Sequence, residues 1–497
     1  MPSGSNNLEK EDQERVLDLL KGAFAGIKHL HFVGIGGISM SGLAQIMLAL
    51  NYEVSGSDIK ASPITEKLEK KGIRVHTSHS EDNIKEADAV VYTAAIKDNN
   101  PELLKARHLK IPAVERSVLL GELSKIHEYS IAVSGTHGKT TTTSMIAAIL
   151  LEASFDPTIH LGGELNLLDG TVKIGGSKYF VTEACEYNEG FVRLNPYLGL
   201  ILNIEEEHPD FFQNIEETKK TFMKFALRIS ENGCLIACID DYHTASILDK
   251  LSCKTITYGI ESKNADWTAS NIKFNDRGCA SFKLIKNDKI IANINLHVPG
   301  LHNVSNSLAA AAAAEVLGCD VEHIEQGLFN FSGAKRRLEI KGVSNGINGI
   351  NGSNGINGIN GIKVIDDYAH HPSEIKVTLS AVRKFCGSKI WCVFQPHTYS
   401  RTKAFLNDFS ESFSDADITI VSDIYAAREQ DPGDIHASTL SKKINLSGSK
   451  SLYISDFDSI VRYLQDNVSP GDLLITMGAG DIYKVGEMFL NSKTDCK

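Results

Sequence analysis

The run Ile131-Ala-Val-Ser-Gly135-Thr136-His137-Gly138-Lys139-Thr140-Thr141-Thr142 is an apolar, β-prone segment feeding a glycine-bracketed turn. Met145, Ile146, Ile149 and Leu150 then recur on one face, as a helix requires. Strand, turn and helix in that order make a phosphate cradle, with backbone N–H groups and the helix's positive end facing the anion. Lys139 would reach the β/γ phosphates and the Thr140 hydroxyl would sit on Mg2+. The usual loop has glycine six residues before the lysine. Here that residue is Val133, so Gly135 does the turning.

Upstream lies another α/β unit. His29–Val33 reads as a strand, and Gly34-Ile-Gly36-Gly37 turns into a helix through Met40, Leu43 and Met47. Strands are expected at Tyr52–Ser55, Ile73–His76 and Ala89–Thr93, with helices at Ile64–Lys71 and Pro101–Arg107. Alternation of this kind implies a parallel sheet covered on both faces. The glycine turn partly matches a dinucleotide fingerprint, with Ser39 in place of the third glycine. Asp58 stands where a ribose-binding carboxylate would, so a nucleotide-like ligand is expected. NAD and a nucleotide sugar both fit.

Downstream, Tyr179–Thr182 runs into Glu183, and Leu198–Leu202 ends in Asn203-Ile-Glu-Glu-Glu-His208. Glu183 and His208 both follow expected central strands, where α/β proteins place ligands. A carboxylate suits Mg2+, whereas histidine is unusual for it. Asn303 and Asn306 share a helix face, able to read a base edge or, for Asn303, to cap the helix. Lys335-Arg336-Arg337 supplies positive charge of the kind phosphoryl transfer uses.

A third unit has expected strands at Lys363–Ile365, Lys389–Phe394, Asp417–Val421 and Leu473–Met477. Two polar loops, Asp366-Asp367-Tyr368-Ala-His370-His371 and Gln395-Pro-His397-Thr-Tyr399-Ser-Arg401, are expected at adjacent strand ends, as one wall of an active site. Six tandem triplets, five Asn-Gly-Ile and one Asn-Gly-Ser, fill residues 345–362. One Ile in three is too sparse for a core, so the tract reads as a mobile surface connection between two strands.

The 497 residues fit about three domains. A formal charge of −11 argues against a nucleic-acid or anionic-membrane surface. No run approaches the roughly 18 apolar residues of a membrane span. The first 27 residues read as a polar tail, with a short helix around Glu11–Leu20 and no signal core. A cytoplasmic location is the expectation. Nine scattered cysteines include no CxxC pair, so neither zinc nor disulfides are expected.

Ten segments in register identify the chain as resembling the Mur ligase family. They are HFVGIGGISMSG (31–42), SGSD (55–58), GTHGKTTTTSM (135–145), EACEYNEGF (183–191) and NIEEEHPDFF (203–212). PGLHNVSNSLAA (299–310), FSGAKRRLE (331–339), DDYAHHPSE (366–374), FQPHTYSRT (394–402) and MGAGDI (477–482) complete the set. The resemblance implies an α/β protein of three domains. A Rossmann-like unit at 28–128 would bind the UDP-sugar, through Gly34, Gly36, Gly37, Ser57, Asp58 and His79. A central unit at 129–332, with a parallel sheet of P-loop ATPase type, would bind ATP. A Rossmann-like unit at 333–497 would close over the site.

By the same resemblance, ATP would be held by Gly135, Thr136, His137, Gly138, Lys139, Thr140, Thr141, Asn303, Asn306, Arg337, Asp367 and Tyr368. Thr140, Glu183 and His208 form the implied Mg2+ set. His370, His397 and Arg401 would form the amino-acid end. Lys139, His208, Arg337 and His370 would carry the chemistry. Cys185 and Thr398 depart from the pattern, where Asp and Arg respectively are common. The implied reaction joins L-alanine to the carboxylate of UDP-N-acetylmuramate through an acyl phosphate, driven by ATP. The nearest alternative adds a preformed tripeptide to the same sugar nucleotide, and GIGGISM disfavours it. An NAD-dependent oxidoreductase and a P-loop conformational switch are the readings from other classes.

Overall fold

The computed structural model describes residues 26–168, 170–344, 361–427 and 429–492. The helix expected around Glu11–Leu20 and most of the triplet tract lie outside the described residues.

The first sheet contains β1 (His29–Val33), β2 (Glu53–Ser57), β3 (Arg74–His76), β4 (Ala89–Tyr92) and β5 (Ala113–Glu115), in the order β3-β2-β1-β4-β5. All its pairings are parallel. Every residue of β1 is buried, as expected of a central strand covered on both faces. Order reverses on either side of β1, which opens a crevice at its carboxyl end.

The second sheet has ten strands. They are β6 (Tyr129–Ser134), β7 (Thr158–Leu165), β8 (Gly170–Lys173), β9 (Tyr179–Glu183), β10 (Leu198–Ile201), β11 (Cys234–Cys238), β12 (Lys254–Tyr258), β13 (Trp267–Phe274), β14 (Cys279–Lys286) and β15 (Lys289–Pro299). Their order is β15-β14-β13-β12-β11-β10-β6-β9-β7-β8. The expectation of a parallel sheet holds only for its middle. β13, β14 and β15 run antiparallel at one edge, and β8 does so at the other. The physical reason is local. Asn287 and Asp288 both adopt positive φ, 47° and 62°, and close the tight β14–β15 hairpin between Lys286 and Lys289.

The third sheet contains β16 (Glu339–Ser344), β17 (Ile362–Asp367), β18 (Ile390–Phe394), β19 (Ile418–Val421), β20 (Ser451–Tyr453) and β21 (Leu473–Met477). Its order is β16-β17-β21-β18-β19-β20, parallel except for β16. The two polar loops follow β17 and β18, which are not neighbours: β21 lies between them. Asp367, Met477 and Phe394 are in register, so three strand ends open along one rim.

The helix Lys139–Glu152 is buried from Thr141 to Leu150 without a break. Each large apolar side chain so buried contributes about 1.5–3 kcal/mol. The first two units share a core in which Leu119, Leu120 and Leu123 pack with Phe180, Phe191 and Phe222. The helix Arg116–Ile126 approaches the second unit so closely that a Cβ on Gly121 would lie 2.5 Å from the Arg193 carbonyl oxygen. The cores of the third unit draw only on residues from Leu338 onward. Among the described residues no helix is long and apolar enough to cross a membrane.

Candidate active site

β6 explains the missing glycine. Val133 is still within the strand, paired with Glu183 of β9, so the turn cannot begin before Gly135. Gly138 sits at φ 82° as the N-cap of the helix Lys139–Glu152. A Cβ there would lie 2.8 Å from Asn306 Oδ1. Only glycine satisfies both the left-handed backbone and that approach. β9 and β10 flank β6, so Glu183 and the segment Asn203–His208 leave the sheet on either side of the loop.

Lys139 Nζ bonds the Thr136 carbonyl at 3.0 Å and both oxygens of Glu186 at 3.0 and 3.2 Å. The Glu186 side chain is 1% exposed. Burial would raise its pKa, but Lys139 and His208 outweigh burial and hold it down at about 2. His208 Nε2 lies 3.5 Å from Glu186 Oε1. On the other side Thr140 Oγ1 donates to Glu183 Oε2 at 3.0 Å, and Gly162 N–H donates to Oε1 at 2.6 Å. A hydroxyl and a carboxylate in contact are hard oxygen donors, which fits Mg2+. His208 is paired with Glu186 instead. A separate grouping of His137, Glu205 and His371 has ligand atoms within 4.8 Å of one another. Both His371 nitrogens are already used, by Ser373 N–H and the Glu206 carbonyl.

A cavity of about 200 Å³ adjoins the loop, lined by His137, Gly138, Asn303, Asn306, Arg337 and Asp367. Gly300, not Asn303, caps the helix Leu301–Val316. Asn303 donates to the Pro299 carbonyl and accepts from Asn306, at 2.8 and 3.1 Å. His137 Nδ1 lies 3.2 Å from Glu374 and its Nε2 3.5 Å from Glu205. Burial opposes its protonation, but these two carboxylates raise its pKa to about 10. Asp367 accepts from Leu338 and Ala369 N–H groups, and burial pushes it up to about 6. Arg337 reaches Glu374 at 3.4 Å and lies over the Tyr368 ring at 5.3 Å.

A second cavity, of about 280 Å³, is lined by Cys185, His208, Tyr368, His370, His397 and Arg401. His370 is held by the Tyr368 carbonyl, and burial lowers its pKa to about 4. Arg401 makes a buried ion pair with Glu207 and touches His397 Nδ1 at 2.9 Å. Neighbouring contacts repeat this link between the second and third units. Ser373 donates to Glu205, and His371 Nε2 meets the Glu206 carbonyl at 3.1 Å.

In the first unit Gly36 N–H donates to Asp58 at 2.9 Å, and the N–H groups of Gly34 and Ile35 both donate to the Ser57 carbonyl. Ser57 is fully buried. Its hydroxyl donates to Glu102 at 2.7 Å, and His79 Nδ1 lies 2.9 Å from the same oxygen.

Three family models cover most of the chain: "Mur ligase family, catalytic domain" at residues 29–128, "Mur ligase middle domain" at 133–314 and "Mur ligase, glutamate ligase domain" at 354–480. The chain belongs to the Mur ligase family. It is 56% identical to the UDP-N-acetylmuramate–L-alanine ligase of Acetivibrio thermocellus, over 94% of this chain and 96% of that one. Among solved structures, UDP-N-acetylmuramate-alanine ligase MurC of Thermotoga maritima has a TM-score of 0.77 at 29% identity, covering 93% and 98%. A murein peptide ligase of Psychrobacter arcticus has a TM-score of 0.69 at 25% identity, covering 94% and 98%.

Both departures from the Mur ligase pattern, Cys185 and Thr398, line the second cavity. The residues that sequence reasoning missed are mostly carboxylates: Glu102, Glu186, Glu205, Glu207 and Glu374. Glu186, Glu205, Glu207 and Glu374 sit inside quoted motifs. The available signal was an acidic residue within a loop that must also hold a lysine, an arginine or a histidine.

Proposed function

We propose that this chain joins L-alanine to the carboxylate of UDP-N-acetylmuramate, with cleavage of ATP to ADP and phosphate. The observation that carries the reading is the 56% identity to a ligase of that name along 94% of the chain. The three units 28–128, 129–332 and 333–497 take the sugar nucleotide, ATP and the amino acid side respectively. The location is cytoplasmic.

A carboxylate resists attack by an amine at neutral pH. The muramoyl carboxylate oxygen therefore attacks the γ-phosphorus, ADP leaves, and an acyl phosphate forms. The alanine amine attacks the acyl carbon, loses a proton, and phosphate departs. Lys139 exchanges Glu186 for the phosphates of ATP. The N–H groups of Thr136 and His137 are held by Asn203, so those of Gly138 to Thr141 at the helix start cradle the phosphates. Arg337 faces the charge that spreads over the transferred group. Asn303 and Asn306 face the adenine side. Thr140 and Glu183 would hold Mg2+ through their oxygens, and His208 would join them only on leaving Glu186; the ion would neutralise phosphate charge when bound. His370, His397 and Arg401 border the amino acid. Holding three substrates in line accounts for up to about 7–11 kcal/mol of the barrier.

Phosphate release tests the reading. Release should require both UDP-N-acetylmuramate and L-alanine. Release with a preformed tripeptide but not with alanine would replace it by the tripeptide ligase. Release without any amino acid would make the chain an ATPase switch.

A further inference from the structure

The least expected charge in the molecule is Glu102, which opens the helix Pro101–Leu109 behind the first unit's crevice and has no exposed surface. A buried carboxylate is costly, and an apolar side chain would stabilise the fold at least as well. Glu102 is instead saturated with donors. Oε2 accepts from Ser57 Oγ at 2.7 Å and meets His79 Nδ1 at 2.9 Å. Oε1 accepts from Asn83 Nδ2 at 2.6 Å and lies 3.4 Å from His31 Nε2. The close partners come from the end of β2 and from the segment between β3 and β4, and His31 of β1 lies beside them, so one carboxylate gathers three separate parts of the unit.

The consequences for the crevice follow from which atoms are used. The ionised carboxylate accepts, so His79 must carry its proton on Nδ1, and its ring is fixed with Nε2 as the remaining polar atom. The Ser57 hydroxyl is likewise committed. The Ser57 carbonyl, on the same residue, holds the N–H groups of Gly34 and Ile35 at 2.8 and 3.0 Å. Asp58, the next residue, holds Gly36 N–H.

We propose that Glu102 is the positioning residue of the sugar-nucleotide site, setting the His79 ring and, through Ser57, the Gly34–Gly37 turn. It touches no substrate. The proposal rests on the reading that the first unit binds UDP-N-acetylmuramate.

Direct titration with UDP-N-acetylmuramate in the absence of ATP comes first. If the wild-type chain does not bind, the reading of the site fails and the proposal falls with it. If it binds, Glu102→Gln, which keeps the shape and loses the charge, should weaken binding and raise that KM about tenfold. kcat and the KM values for ATP and L-alanine should stay within about twofold, a split that general loosening of the fold would not give. His79→Ala should raise the same KM, and Glu102→Gln should add little on top of it, since the two act as one unit. Should Glu102→Gln fail to fold, Asn83→Ala removes only one of its donors. It should shift the same KM in the same direction, by about threefold. Unchanged sugar-nucleotide affinity in a folded Glu102→Gln or Asn83→Ala chain overturns the proposal. So does an equal loss for all three substrates.

Discussion

Arg401 and Glu207 form an ion pair buried between the second and third units, with Arg401 Nε and Nη2 both donating to Glu207 Oε1, at 2.9 and 2.5 Å. Each side chain is only 6% exposed. Removing one partner strands a charge in a dry site, which costs about 3–5 kcal/mol. Glu207→Gln should therefore lower the thermal midpoint at pH 7. Restoring the wild-type midpoint by Arg401→Met in the same chain would show that the stranded charge, not lost packing, is responsible. An unchanged midpoint in Glu207→Gln contradicts the burial of the pair.

Acid should weaken the fold in a defined window. Burial opposes ionisation of Glu102, Glu186 and Glu205, yet their partners hold all three at about 2, and Arg401 holds Glu207 lower still. A carboxyl depressed in the folded state contributes stability above its unfolded value, near 4.5, and loses it as pH falls through the folded value. Burial raises Glu183, Asp366 and Asp367, which work in the opposite sense. Glu374, despite its burial, is held well below its usual range by its histidine and arginine neighbours and adds to the depressed set. Melting curves between pH 7 and pH 2 should show stability falling steeply below about pH 4.5. The fall should be shallower in Glu207→Gln, and parallel curves would refute that assignment.

The structure shows Lys139 paired with buried Glu186, and the proposed function adds the holding of ATP, so the two roles are separable by mutation. Lys139→Met should reduce ligation about 10³-fold, while titration with UDP-N-acetylmuramate stays unchanged, because that site lies on another unit. It should also lower stability, since Glu186 loses its cation. Lys139→Met with Glu186→Gln should recover the stability and none of the activity. If sugar-nucleotide binding disappears in a folded Lys139→Met chain, the division of sites between units is wrong.

The triplet tract joins strands that are already in register, with Ser344 opposite Ile362 in the β16–β17 pair. On the sequence reading of the tract as a connection alone, its length sets the entropy of closure, which grows by about 0.6 kcal/mol per doubling. Shortening residues 345–362 to one triplet should leave kcat unchanged and raise stability by about 1–2 kcal/mol. A large fall in kcat in a folded chain would assign the tract a function.

How much of this was legible depended on whether the signal was local. The loop from Gly135 to Lys139 and the strands ending at Val33 and Met477 follow from runs of apolar residues meeting glycine. The β13–β15 edge was not read, although Asn287-Asp288 is a local hairpin signal and β15 alternates cleanly; register shifts within β13 and β14 break the alternation there. The buried carboxylates were invisible for a different reason. Glu102 and Glu186 look like any solvated acid until distant strands bring His79, Ser57 and Lys139 to them. The strand order was equally tertiary: nothing in the loops after β17 and β18 says that β21 comes between them.

The seams of the molecule differ in kind. The helix Arg116–Ile126 joins the first two units mainly through leucine and phenylalanine, whereas the third is joined mainly through charged and hydrogen-bonded side chains, with Phe385 close to Gly278 as an apolar contact. Water can replace the second kind of seam and cannot replace the first. Anyone dissecting the chain for expression should cut near residue 333 and leave residue 129 alone. A fragment beginning at residue 129 would carry a bare greasy flank where Leu119, Leu120 and Leu123 belong.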